Sequence, residues 1–412
     1  MVRPGVESLR IAILTQATEP GGAVVHALAL GEALCALGHE AVVHAPDPTR
    51  RGFYRDAACP VVAVAAKPVS GSEAARVDAR IAEYLAHFAS PAACDFDVFH
   101  AQCDVSGNAL ATLTRRRLIP GFVRTVHALA PIADPILARR QDRAILDAGR
   151  LLSVSRIGAA NLADTYGVQA EIVRSGVDAT IFDPEPTPDE TALRRRLGLG
   201  AGPVFLSVGG FAARKNSRAV IEAFATLRRD IPDAQLVVAG ATAAHDITGY
   251  EASCCAALER EGLEVGPGRP VIRTGPVAQT DLPGLYRLAD TLVFPSRAES
   301  YGLSLLEAVA CGTPVIVPAR PPFSEYLTPS AALWVDPDDT GVIAAAMRAS
   351  LEPARRARLR NCGRDIVRAN TWAACAARHL PTYAALAPGP VPAAPFATGA
   401  AAWNVLRVPP GG

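Results

Sequence analysis

The sequence predicts an α/β chain with two parallel sheets, and three observations carry that prediction. Apolar, β-prone runs end in glycine-bearing loops and pass through a helical stretch into another such run, first over residues 9–44 and again over residues 203–240. Pro184, Pro186 and Pro188 separate the two series and place a domain boundary within residues 183–190. The 412 residues, 50% of them hydrophobic, are enough for two domains with full cores.

In the first half, residues 9–14 read as a strand, and the loop behind it ends in Gly21-Gly22 before a helix over residues 24–37. Gly38 stops that helix and residues 41–44 are the next strand, a β-α-β unit of Rossmann type that lacks the G-x-G-x-x-G dinucleotide fingerprint. A turn-rich connection at 47–56, a strand at 61–66 and a helix over 72–88 lead to a strand at 98–102 with His100 near its carboxyl end. Asp95-Phe-Asp97 spells a D-x-D metal motif, but it leads into that strand instead of leaving it and reads as a solvated turn. A helix over 104–113 and a strand over 121–127 follow, and the strand ends in His127 at the edge where such sheets place ligand-binding groups. The loop and helix over 131–147 carry Arg139, Arg140 and Arg143, diluted by Asp134, Asp142 and Asp147, which describes a solvated face. Residues 151–155 and 156–166 read as strand and helix, and residues 171–174 lead on toward Ser175-Gly176-Val177-Asp178.

The second half opens with a strand over 203–210 that ends in Gly209-Gly210. Arg214 and Lys215 follow in the strand-to-helix turn, one a forked cation and one a point charge, a pair suited to a diphosphate. After a helix to residue 227 come a strand at 235–240, a polar segment at 241–250, a helix over 251–261, and a strand and turn over 271–277 that contains Val277. A short helix over 281–288 turns Leu282, Leu285 and Tyr286 inward, and helices over 340–350, 353–369 and 372–386 close the fold. Residues 388–412 are rich in Pro, Ala and Gly and read as a disordered or draped tail.

The chain is organised around residues 291–317, predicted as strand, loop, helix over 304–311 with Ser304 as its cap, and strand. Glu299 then stands in a loop at the carboxyl edge of a parallel sheet and Glu307 inside the helix. Between them, the backbone N–H groups of Tyr301, Gly302 and Leu303 sit near a helix N-terminus, where the dipole and free donors suit a phosphate. Gly302 removes a side chain that would hold an anion away. Carboxylates repel a phosphate but suit hydroxyl groups on either side of it, which is what a sugar nucleotide presents. The wording Glu299-Ser-Tyr-Gly-Leu-Ser-Leu-Leu-Glu307-Ala-Val-Ala-Cys-Gly-Thr-Pro-Val-Ile resembles the glutamate–seven–glutamate signature of glycosyltransferase family 4.

That resemblance covers about residues 9–380 and implies a GT-B fold, two Rossmann-like parallel-sheet domains facing across a cleft. Residues 1–183 would be the acceptor-side domain, 184–370 the nucleotide-sugar domain and 371–387 a helix crossing back to the first. The implied reaction moves a sugar from a nucleotide diphosphate sugar, UDP by family frequency, to an acceptor hydroxyl with anomeric retention and without cofactor or metal. By the same resemblance Arg214 and Lys215 stabilise the leaving diphosphate, Glu299 meets the donor sugar and Glu307 the ribose. Val277 lies beside the base, and His127, Gly21 and Gly22 complete the cleft. The chain departs from the family pattern at Ser175, where asparagine is usual, and at Gly210, where many members carry arginine.

Net charge +1 gives no general pull toward nucleic acid or an anionic membrane, and the weakly basic helix over 131–147 favours a small-molecule acceptor. The sequence contains neither a signal-peptide core ahead of residues 9–14 nor an apolar run of spanning length, so a cytoplasmic location is expected. The nine cysteines show no paired C-x-x-C spacing, and packing is the expected role for most, Cys311 included. Three rivals stand on sequence: a sugar-nucleotide epimerase of the same architecture, a glycogen-type phosphorylase, for whose lysine-bound pyridoxal phosphate the chain shows no candidate, and a binding protein that has lost transfer.

Overall fold

The computed structural model describes residues 8–129, 132–240 and 249–387. The tail at 388–412 and residues 241–248 of the polar segment lie outside the described residues.

Seven strands build the first sheet: β1 Arg10–Leu14, β2 Glu40–Asp47, β3 Val61–Ala65, β4 Val98–Ala101, β5 Val123–Val126, β6 Arg150–Ser153 and β7 Glu171–Ile172. Helices α1 Gly22–Ala36, α2 Glu73–His87, α3 Asp104–Arg115, α4 Pro135–Leu146 and α5 Arg156–Tyr166 connect them. The second sheet holds β8 Val204–Val208, β9 Gln235–Ala239, β10 Val271–Gly275, β11 Thr291–Val293, β12 Val315–Pro318 and β13 Leu333–Val335. Around it lie α6 Asp189–Leu197, α7 Ser217–Arg228, α8 Tyr250–Arg260, α9 Leu282–Leu288, α10 Leu303–Ala310, α11 Thr340–Ser350 and α12 Pro353–Ala369, with α13 Trp372–Ala384 as the last helix.

Both sheets are parallel and share one topology, β3-β2-β1-β4-β5-β6-β7 and β10-β9-β8-β11-β12-β13. Each starts in the middle, moves outward through two strands, and returns to lay the next strand beside the first. Loops leaving β1 and β4, and those leaving β8 and β11, therefore diverge and open a crevice at the carboxyl edge. The strands are apolar on both faces because helices cover both. Ile11 and Ile13 pack with Leu28 and Leu34, whereas Ala12 and Leu14 pack with Tyr84, Phe99 and Leu110 on the other side. In the second sheet Leu206, Leu292 and Val317 share a core with Leu305 and Leu306, and Phe205, Val293 and Ile316 share one with Phe224 and Met347.

Helix α13 leaves the second sheet and buries Cys375, Ala376 and Tyr383 in the core of the first. Tyr383 Oη lies 2.7 Å from His100 Nδ1, so the histidine at the end of β4 is a buried partner of this helix. On α4, Arg140 pairs with Asp78 at 2.7 Å and Arg143 with Asp147 at 3.4 Å, which spends the basic face on neighbouring carboxylates. Among the described residues, no helix is long and apolar enough to cross a membrane.

Two local expectations change. Ser304 does not cap the Glu307 helix; the cap is Gly302 at φ +96°, and the helix begins at Leu303. The left-handed turn at a glycine starts this helix, so no side-chain cap is used. Helix α6 was not expected, because only Leu193 and Leu197 of its nine residues are buried and the rest are mostly charged or polar. Its acidic first turn and arginine-rich last turn match the helix dipole.

Candidate active site

The site is built where the second sheet's strand order reverses. Strand β8 ends at Val208, and Gly209 and Gly210 follow at φ +116° and +66°, with both N–H groups donating to the Ala239 carbonyl. A Cβ on Gly209 would fall 2.8 Å from Lys215 Cε, so this glycine makes the room through which the lysine folds back. Asn216 then turns left-handed at φ +61° and donates from Nδ2 to the Pro337 carbonyl at 2.6 Å, while Ser217 Oγ donates to the Gly210 carbonyl at 2.7 Å. Gly209 was legible only as half of a glycine pair; its contact with Lys215 was not.

Folded back in this way, Lys215 is 7% exposed, with Nζ 2.5 Å from Glu299 Oε1 and 4.2 Å above the Phe294 ring centre. Arg214 reaches the same Oε1 at 3.1 Å but stays 58% exposed. The backbone reinforces the pairing, since the Arg214 carbonyl accepts from the Arg297 N–H at 2.8 Å. Arg214, Lys215 and Glu299 thus converge because β8 and β11 are neighbours. Burial pushes the Lys215 ammonium down to about 8, a fall that Glu299 partly offsets.

Glu307 projects from α10, and its Oε2 accepts from Tyr286 Oη at 2.8 Å. Burial pushes its carboxyl up to about 7 against the opposing pull of Tyr286 and Lys215. Tyr301 stacks on Tyr326 with ring centres 4.8 Å apart and donates from Oη to Asn370 at 2.8 Å. The expected reason for Gly302 changes with the structure. A Cβ there would meet Phe323 at 3.2 Å and Tyr326 at 3.3 Å, so glycine serves the positive φ and this packing and does not clear open space. Among the described residues, no protein group accepts from the N–H groups of Gly302 and Leu303. Val277, which ends the turn after β10, is half-buried against the core under β11 and α10.

On the first domain, Gly21 and Gly22 are exposed, and nothing lies within 4 Å of a Cβ added to either. Gly21 is extended, so openness and not backbone strain is what it contributes. His127 is half-buried just past β5, with Nε2 2.7 Å from Gln102 Oε1. The oxygen of Gln102 only accepts, so Nε2 carries the proton and Nδ1 a lone pair. Burial, with Arg124 and His379 adding to it, pushes the ring down to about 3 and keeps it neutral. Gln102 is a site residue that the sequence reading passed over, and its place one residue past β4 was the available signal.

Comparison with known proteins follows the same division. The profile described as Glycosyl transferases group 1 matches residues 189–365, and that described as Glycosyltransferase Family 4 matches residues 20–181. The chain is 30% identical over 310 residues to the D-inositol 3-phosphate glycosyltransferase of Xylanimonas cellulosilytica, covering 70% of this chain and 72% of the relative. It is 32% identical over 236 residues to the enzyme of the same name from an Arthrobacter species, where the match spans only 54% of each. Among solved structures, sucrose-phosphate synthase from Thermosynechococcus elongatus superposes with a TM-score of 0.74 at 23% identity, covering 91% of this chain and 98% of that one. Anabaena HepE in complex with UDP-glucose superposes at 0.72 with 18% identity over 92% and 100%. These two share the fold, the two-domain GT-B architecture expected from the sequence. With both halves matched and the Xylanimonas relative covered over more than two thirds of its length, the chain belongs to the group 1 glycosyltransferases of glycosyltransferase family 4.

Proposed function

We propose that this chain transfers a sugar from a nucleotide diphosphate sugar, UDP-linked, to a hydroxyl of a small polar acceptor with retention of anomeric configuration. The observation that carries the reading is the convergence of Arg214 and Lys215 on one point at the carboxyl end of β8. Fixed cations at that point meet the charge that grows on the leaving diphosphate as the bond from the anomeric carbon to its phosphate oxygen breaks. The free N–H groups of Gly302 and Leu303 add donors on the same side. Glu307 accepts from the ribose hydroxyls and Glu299 from the donor sugar once the phosphate takes over the two cations.

The new bond from acceptor oxygen to anomeric carbon forms on the face that the phosphate leaves, and the acceptor proton passes to a leaving-phosphate oxygen. Protein groups then need not carry that proton, which suits a neutral His127 whose Nδ1 only accepts from a sugar or acceptor hydroxyl. Closure of the cleft would exclude water that hydrolyses the donor. The names of the relatives support the substrate class: several are D-inositol 3-phosphate glycosyltransferases, and fold neighbours include a complex with UDP-glucose and a UDP-forming trehalose-phosphate synthase. These names favour an acceptor that is a small polyol or its phosphate, and a cytoplasmic site of action belongs to the same proposal.

The test is a calorimetric screen of UDP, GDP, ADP and dTDP, first without and then with magnesium. Binding of UDP above the others in both conditions is the expected result. No binding by any of the four would reduce the chain to an inactive relative.

A further inference from the structure

Two helices from opposite ends of the chain bury a side-chain cluster that sugar transfer does not use. Helix α1 contributes His26, and α13 contributes Cys375 and His379, four residues apart and so on one helix face. His26 is 1% exposed and the other two 0%. One ligand atom from each, taking either ring nitrogen of a histidine, lies within 4.8 Å of the other two, and Cys375 Sγ is 3.9 Å from His379 Nδ1, so His379 has to turn its Nε2 toward the thiol to share an ion with it. His379 Nδ1 is 2.8 Å from the Cys375 carbonyl, which only accepts, so Nδ1 carries the proton and Nε2 a lone pair. His26 Nδ1 is held by Ser175 Oγ at 3.2 Å. Among the described residues, neither Nε2 has a hydrogen-bond partner, although both are buried. Leaving a buried nitrogen unsatisfied is costly, and two within one cluster call for an occupant, either water or an ion.

Imidazoles anchored at Nδ1 by a carbonyl or a hydroxyl, with Nε2 left free, are arranged as metal-bound histidines are. The thiol beside them adds a soft ligand. We propose that His26, Cys375 and His379 bind one Zn2+. Two imidazoles and a thiolate select zinc over magnesium or calcium, and a fourth position remains for water. Tetrahedral zinc needs its nitrogen and sulfur ligands about 3.3–3.6 Å apart, so the three side chains close slightly around the ion. The Cys375 thiol, which now donates to the Arg174 carbonyl at 3.1 Å, loses its proton to solvent as the zinc–sulfur bond forms, with no change of oxidation state. The ion would tie α1, whose N-terminus carries Gly21 and Gly22, to the helix that returns from the second domain. The cleft wall at His127, whose ring centre is 4.8 Å from that of His26, would rest on it.

The test uses the full chain stripped of metal, titrated with zinc by calorimetry and with cobalt by absorbance. One equivalent of zinc, a raised Tm and a thiolate-to-cobalt charge-transfer band are expected. Cys375→Ala and His379→Ala should each bind zinc at least tenfold more weakly, and Cys375→Ala should lose the band. Cys254→Ala, in the other sheet's core, should behave as the parent. Less than stoichiometric zinc in the parent, a cobalt spectrum without the thiolate band, or unchanged affinity in both variants would overturn the proposal and leave water as the occupant. Nucleoside diphosphate binding, measured on the same samples, reports the donor site separately.

Discussion

Lys215 Nζ sits 2.5 Å from Glu299 Oε1 and 4.2 Å above the ring of Phe294, so a single ammonium is held between a carboxylate and a π face in near-complete burial. Its position is fixed before any ligand arrives, and little water must be cleared from it when a diphosphate enters. Preorganised charge of this kind is worth more than the same charge in solvent. Lys215→Ala is expected to lower kcat about a hundredfold or more and to weaken nucleoside diphosphate binding, with the circular dichroism spectrum unchanged because Arg214 still pairs with Glu299. Unchanged turnover would remove the pair from the mechanism.

The pH profile follows from two displaced groups. Burial raises Glu307 from an ordinary 4.5 to about 7 and lowers Lys215 from 10.5 to about 8. Glu307 must be ionised to accept from two ribose hydroxyls, so kcat/KM rises as pH climbs through about 7. Lys215 must be charged, so kcat/KM falls as pH climbs through about 8. Glu307→Gln should lose the acid limb and keep the alkaline one. Stability gives an independent reading. A carboxyl with a raised folded-state value stabilises fully below 4.5 and loses that contribution as pH rises through about 7. Thermal melts of Glu307→Gln should therefore lack the decline that the parent shows over that window.

How much of this was legible in the sequence depends on whether a feature is local. Arg214-Lys215 behind a glycine pair and the two glutamates at fixed spacing are patterns within one turn or one loop and helix, and they are visible in the sequence itself. That Glu299 bonds the cations was not readable, because it depends on β8 and β11 being neighbours in the sheet. Ser304 was misread as a cap since a left-handed glycine leaves no side-chain signal. The cluster of His26, Cys375 and His379 was hidden for a similar reason. Its members meet only after α13 crosses back to α1, and no spacing along the chain records that.

Gly209→Ala tests whether room for the lysine is what the glycine provides. The backbone is at φ +116°, and the added methyl would press on Lys215 Cγ and Cε at 2.9 and 2.8 Å. The left-handed conformation alone costs about 1–2 kcal/mol. Displacing Lys215 should add a loss of nucleotide affinity approaching that of Lys215→Ala. A variant that melts lower yet binds UDP as tightly as the parent would assign Gly209 to the turn alone.

Glu325 joins the two domains by a different device. It stands in the short turn Phe323–Glu325, and its carboxylate accepts from the Arg156 and Ile157 N–H groups at 2.6 and 2.9 Å, at the start of α5 in the first domain. The same turn supplies Phe323, which bounds Gly302, and it is followed by Tyr326, whose hydroxyl donates to the Tyr301 carbonyl at 2.7 Å. A charged cap across the domain interface is thus two or three bonded residues from the backbone expected to meet the donor phosphate. Such caps contribute about 0.5–2 kcal/mol and weaken with salt. Glu325→Ala should lower the Tm by a few degrees at low ionic strength, less in high salt, and raise the KM for the donor more than it lowers kcat. Glu325→Gln keeps the shape without the charge and should fall between. If both variants match the parent in melting and in donor KM at low salt, the cap holds neither the domains nor the loop.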